Sequence, residues 1–166
     1  MGFGVGFKNL FMKRIIFIAL LLSGFAVGAF AQSSVDSVKK VINTLFTAMK
    51  TSDGVLLATC FSDSAIMQTI AKDRTGGALI RNEIVGDFIK QVAGLPKGAA
   101  DERIKYDVVK VDGPLAIVWT PYQFYYNGQF SHCGANSFQL VRLNGSWKIQ
   151  YLIDTRRKDG CLEKKQ

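Results

Sequence analysis

His132 is the only histidine in a chain of 166 residues. An imidazole titrating near neutrality can act as general acid or base, or hold a hydrogen bond to a bound molecule. It can equally be a structural residue near a turn, here next to Cys133, and no carboxylate is tied to it by spacing. A lone histidine without a matched donor set is no metal site, so the sequence implies neither metal nor cofactor. Asn136 and Tyr151 are the side chains that could polarise a carbonyl oxygen beside it. Trp119, Tyr122, Phe124, Tyr125 and Tyr126 crowd one segment around Pro121. Aromatic walls with a few polar groups suit a small-molecule pocket. The same residues fit an ordinary core plus an exposed sheet face that pairs with another subunit. Proline favours edges and bulges, so which of these aromatics face inward stays open.

The elements that must position these groups are strands. Leu115 to Arg157 reads as three antiparallel strands joined by Asn127-Gly128 and Asn144-Gly145. Asn-Gly is the preferred pair for two-residue turns because both residues tolerate positive φ. The second turn sets Leu143 opposite Ser146. An uninterrupted register then puts Phe138, Leu140, Trp147, Ile149, Tyr151 and Ile153 on one buried face, with Asn136 and His132 further along it. Ser137, Gln139, Lys148, Gln150, Asp154 and Arg156 take the wet face. Tyr151 is thus the expected inward aromatic. Arg157 falls at the end of the inner face, where it meets either an anionic ligand or an acidic side chain. Asp154 and Arg156 meet water, or pair across a subunit interface.

The same register sets Cys133 opposite Arg156, and Lys158-Asp159-Gly160 can turn the chain back toward it. A Cys133–Cys161 bridge is expected on that ground, although spacing alone leaves the connectivity open. Cys60 follows Leu56, Leu57 and Ala58 on a short helical stretch and is read as a small packed residue.

Lys8, Lys13 and Arg14 precede an apolar run from Ile15 to Phe25, and Ala29-Phe30-Ala31 gives a small-x-small pattern. That order describes a secretory signal peptide over residues 1–31, followed by one domain over 32–166. An uncleaved anchor is the alternative, and translation from Met1 or Met12 stays open. Export implies a periplasmic or secreted protein in which disulfides are permitted, with no stable membrane anchor after cleavage. The mature net charge of +5 is modest and mostly scattered. No basic patch tracks phosphates, which argues against a nucleic-acid partner.

Upstream, Val35, Val38, Val41, Ile42, Leu45, Phe46 and Met49 recur at helical spacing. Ser52-Asp53-Gly54 ends that helix and can cap a shorter one, Val55 to Cys60. Ala65 to Ile70 reads as a short strand, residues 74–77 as a loop, and a second amphipathic helix begins near Asn82. Ile104, Tyr106 and Val108 alternate, then slip phase at Val109, which implies a bulge. Helices first and long strands later argue an α+β fold.

This element order resembles the nuclear transport factor 2-like superfamily. The resemblance is carried by Asp53-Gly54 followed by Phe61 and Ala65, by Ala116-Ile117-Val118, and by the run Trp147 to Thr155. It is strongest to small exported bacterial members of the polyketide-cyclase-like and lumazine-binding-like kind. It implies a cone: a curved antiparallel sheet wrapped around N-terminal helices, as in cystatin-like folds, with a cavity at the wide end and a homodimer formed through the sheet. Steroid-isomerase-like members place a base carboxylate four residues after the position of Ala65. Here that residue is Thr69, whose hydroxyl cannot be that base, although Gln68 and Thr69 can bind polar groups of a ligand.

Such a fold hosts many activities. The expectation is an exported domain that binds a small apolar or aromatic molecule through Trp119, His132, Asn136, Tyr151, Thr69 and Arg157. The alternatives are an isomerase, dehydratase or cyclase using His132 as acid or base, and an interaction module whose cavity is filled.

Overall fold

A computed structural model describes residues 34–161. The leader read over residues 1–31 and the basic tail Lys164-Lys165 lie outside the described residues. The chain divides into two compact units after Asp36. Of the first, only residues 34–36 are described, and they are helical. The second unit, from Ser37, is an α+β fold of helices and a curved, unclosed mixed sheet. Among the described residues, no helix is long and apolar enough to cross a membrane.

Residues 37–51 form helix α1. Val38, Ile42, Leu45 and Met49 share its buried stripe, as their spacing requires. Ser52 takes a φ of 56° and ends it. Asp53 then accepts the Leu56 N–H at 2.8 Å, capping the short helix α2 (Gly54–Ala58).

Strand β1 (Phe61–Lys72) starts four residues before the expected Ala65. Asp73 Oδ1 accepts the N–H groups of Thr75 and Gly77, and this turn sends the chain back as β2 (Ala78–Glu83). The sequence reading missed β2, so helix α3 (Val85–Ala93) begins later than Asn82. Strands β3 (Ala100–Ile104), β4 (Val108–Asp112), β5 (Leu115–Tyr126), β6 (Gln129–Leu143) and β7 (Ser146–Thr155) complete the fold. Their order is β2-β1-β7-β6-β5-β3, with β4 also beside β5. The β1–β7 pair is parallel and the others are antiparallel.

Both Asn-Gly turns form, with positive φ at all four residues. Leu143 pairs with Ser146 and Leu140 with Ile149. The register then slips: Gln139 pairs with Tyr151, leaving Gln150 as an extra residue. The cause lies on another strand. β1 detaches from β7 between Phe61 and Ile66, and the Gln150 amide fills that gap. It accepts the Ser62 hydroxyl at 2.7 Å and donates to the Ser64 carbonyl at 3.0 Å.

A one-residue bulge exchanges the faces of everything beyond it. Leu152, Asp154 and Arg156 therefore turn inward. Tyr151 and Ile153 turn outward, the reverse of the sequence expectation. A second bulge at Ser131 breaks the β5–β6 ladder between Phe124 and Tyr125. On the inner face Phe46 of α1 meets Phe138 edge-on, and Phe88 of α3 meets Phe61. Beyond β7, Cys133 pairs with Arg157, one position later than an uninterrupted register gives. Cys133 is bonded to Cys161 across a Cα separation of 5.7 Å, and Cys60 is free and buried.

Candidate ligand cavity

Two direct-pairing rows on the inner face build the site. In the first, Thr120 of β5, Asn136 of β6, Asp154 of β7 and Thr69 of β1 stand side by side across four strands. All four are buried, from 0% to 9% exposed, a run of polar groups where an apolar core would be expected. In the second, Glu102 of β3 pairs with Phe124 of β5, which pairs with His132 of β6. Asn136 and Asp154 of the first row and Glu102 and His132 of the second form the polar end of a cavity of about 360 Å³. Leu45, Phe46 and Met49 of α1, Phe88 and Val92 of α3, and Phe138 and Leu152 of the sheet supply its apolar walls. Tyr126 and Gln91 are exposed lining residues.

Glu102 accepts the Asn136 amide at 2.8 Å. Burial pushes its carboxyl up to about 7, and the charge of Asp154 adds to the effect; the Asn136 bond and Arg156 oppose it. Asp154 Oδ2 accepts from Arg156 Nε at 2.8 Å and from the Tyr122 hydroxyl at 3.1 Å. Arg156 also reaches Glu83 of β2 at 3.4 Å. Burial, reinforced by Asp154 and Glu102, holds Tyr122 protonated. That ring lies across Gly134, where a Cβ would meet the Thr155 carbonyl oxygen at 1.7 Å and Tyr122 Cε1 at 2.8 Å. Gly134 is thus what lets Tyr122 reach Asp154.

His132 packs edge-on to Tyr122 and tilted on Phe124, with ring centroids 5.7 and 5.1 Å apart. Burial and then Arg156 press its pKa below the usual value, against a smaller opposing pull from Asp154. At neutral pH it is an uncharged ring, with Nδ1 3.1 Å from the Ser131 hydroxyl. Glu102 is the group poised to gain or lose a proton there. Among the described residues, no group of three or more His, Cys, Asp and Glu is placed to hold a metal ion.

The structure brings His132 and Asn136 together in the cavity wall. It does not bring the other four named residues there. Trp119 lies exposed on the outer face, because β5 alternates without a break from Ala116 to Tyr122. Tyr151 is turned out by the Gln150 bulge and donates to Gln68 Oε1 at 2.6 Å. Arg157, one residue past the inward Arg156, donates to the Gly160 carbonyl. Thr69 lies next to Asp154 in the polar row but does not line the cavity, and its hydroxyl is buried without a hydrogen-bond partner among the described residues.

Sequence reasoning missed Glu102, left the face of Tyr122 open and set Asp154 and Arg156 on the wet face. The alternation of Ile104 and Tyr106, carried back two residues, puts Glu102 on the inner face. Asp154 and Arg156 carried no such signal, since the bulge that turns them inward is set by Ser62 and Ser64.

No family model matches the chain, and no curated protein matches it in sequence. Solved structures do match. An NTF2-like protein of unknown function from Shewanella baltica superposes with a TM-score of 0.60 at 11% identity, over 76% of this chain and 96% of that one. A cystatin-like domain of unknown function from Nostoc punctiforme gives 0.57 at 19% identity, over 76% and 77%. A candidate dehydratase of the NTF2-like family from Streptomyces avermitilis gives 0.56 at 14% identity, over 76% and 97%.

Proposed function

On the NTF2-like fold that this chain adopts, we propose that the protein binds a small molecule with an apolar body and one polar end. The observation that carries this reading is the cavity of about 360 Å³, apolar along the helices and polar where Glu102, Asn136 and Asp154 line it. That volume suits a compact organic molecule rather than a peptide. The leader pattern over residues 1–31 supports an exported protein. Native mass spectrometry of protein purified from its own compartment tests the reading. A reproducible adduct is expected, lost when Leu152→Trp fills the cavity; its absence from repeated preparations would count against binding.

A second reading adds catalysis by proton transfer, as in an isomerase or dehydratase. Glu102 favours it: a carboxyl near neutrality, in reach of an apolar cavity, is suited to take or give a proton at pH 7. Glu102 then replaces His132 as acid or base, and Asn136 and Tyr122 are the neighbouring donors. Self-association through the outer sheet face is also proposed. Ile117 and Trp119 of β5 and Ile66 of β1 are exposed there, with Tyr151 and Ile153 between them, and a second copy is the partner inferred.

A further inference from the structure

We propose that the cavity selects an organic cation: a protonated amine on an apolar or aromatic body, its N–H groups seated on the carboxyl oxygens of Glu102. The proposal rests on the small-molecule reading above. Its basis is the balance of charge around one cavity. Among the described residues, three carboxyl groups line the cavity, Glu83, Glu102 and Asp154, against the single guanidinium of Arg156. Arg156 is already committed, to Asp154 at 2.8 Å and to Glu83 at 3.4 Å. Helices α1 and α3 add no charged side chain to the wall, β5 adds Tyr122 and Tyr126, and β6 adds His132, which is neutral.

Among the described residues, an entering anion would meet excess negative charge and no uncommitted cation in the cavity wall. A neutral molecule would leave Glu102 with Asn136 as its hydrogen-bond donor. A cation supplies the missing opposite charge where solvent screening is weak. Phe124 stands opposite Glu102 on the neighbouring strand and lines the same cavity, which adds an aromatic wall beside the seat. Binding draws the proton off Glu102, so affinity should rise with pH. With Glu102 near 7, the gain from pH 6 to pH 8 is about tenfold.

The experiment is calorimetric titration of the protein with three matched probes at pH 6 and 8: 2-naphthylmethylamine, 2-naphthylmethanol and 2-naphthoate. The amine is expected to bind at least tenfold tighter than the alcohol at pH 8, with naphthoate weakest. Glu102→Gln, its folding checked by thermal melt, should erase the preference. If that variant does not fold, the probe series and its pH dependence on the unaltered protein decide. Alcohol or naphthoate matching the amine would overturn the cation while leaving the cavity reading intact. An amine preference that survives Glu102→Gln overturns the assigned seat. Binding by none of the three counts against both readings.

Discussion

Glu102 and His132 sit in one row and respond to pH with opposite signs. The folded chain holds the Glu102 proton up to about 7, and the unfolded chain releases it near 4.5. Between those values the folded state binds more protons, so this group costs stability as pH rises from about 4.5 to about 7. The cost corresponds to ~3 kcal/mol. Glu102→Gln should therefore match the wild type at pH 4 and exceed it by up to ~3 kcal/mol at pH 8, read from urea unfolding at each pH. A difference independent of pH would contradict the placement of this carboxyl. His132 works the other way: the unfolded imidazole takes a proton below about 6.5 while the folded ring resists, so stability falls as pH drops through that value. Gly134 gives a sharper expectation. The atom facing its missing Cβ is a backbone oxygen, which cannot swing aside. Gly134→Ala should cost at least ~2 kcal/mol in the same unfolding measurement and part Tyr122 from Asp154.

Among the elements, the β6–β7 hairpin separates what a sequence can specify from what it cannot. Asn144-Gly145 specifies a turn by itself, because positive φ at two successive residues is a local demand. The pairing from Leu143–Ser146 to Leu140–Ile149 follows from that turn and was legible in advance. From Gln139 onward it was not, because the bulge depends on groups about ninety residues away in sequence, the Ser62 hydroxyl and the Ser64 carbonyl. For this reason Tyr151 and Arg157 were expected inside, and Asp154 and Arg156 outside. The helices were legible to within a turn because burial on one face of a helix leaves its own period. β2 was not, since its residues are exposed or nearly so and show no alternation of burial. Gln150→Ala should strand the buried Ser62 hydroxyl and cost ~1–3 kcal/mol in urea unfolding. Gln150→Glu should keep the acceptor for Ser62 and lose less, whereas equal loss in both would point away from the bulge contact.

At the scale of the whole molecule, the two faces of the sheet differ in character. The inner face holds the cavity and the outer face carries the exposed apolar rows of Ile117, Trp119 and Ile66. Light scattering at micromolar concentration is expected to give a dimer, and Trp119→Lys a monomer with the cavity unchanged; a monomeric wild type would end that reading. The Cys133–Cys161 bond spans 28 residues and fastens the segment after β7 beside His132. Titration of the denatured, unreduced protein should find one free thiol, from Cys60, and three would exclude the bond. Reduction should lower stability by ~3 kcal/mol, since a loop of that size gains considerable freedom when it opens.

The bulge at Gln150 also bears on heredity. Its place is held from β1 by Ser62 and Ser64, so a single-codon deletion just beyond it, at Tyr151, exchanges Asp154 and Arg156 for Ile153 and Thr155 along the β7 wall in one mutational event. Lineages that carry this sheet can therefore trade a charged wall for an apolar one without accumulating substitutions. Comparisons that count replaced amino acids, and score gaps only as noise, would overlook the step by which such a pocket changes its diet.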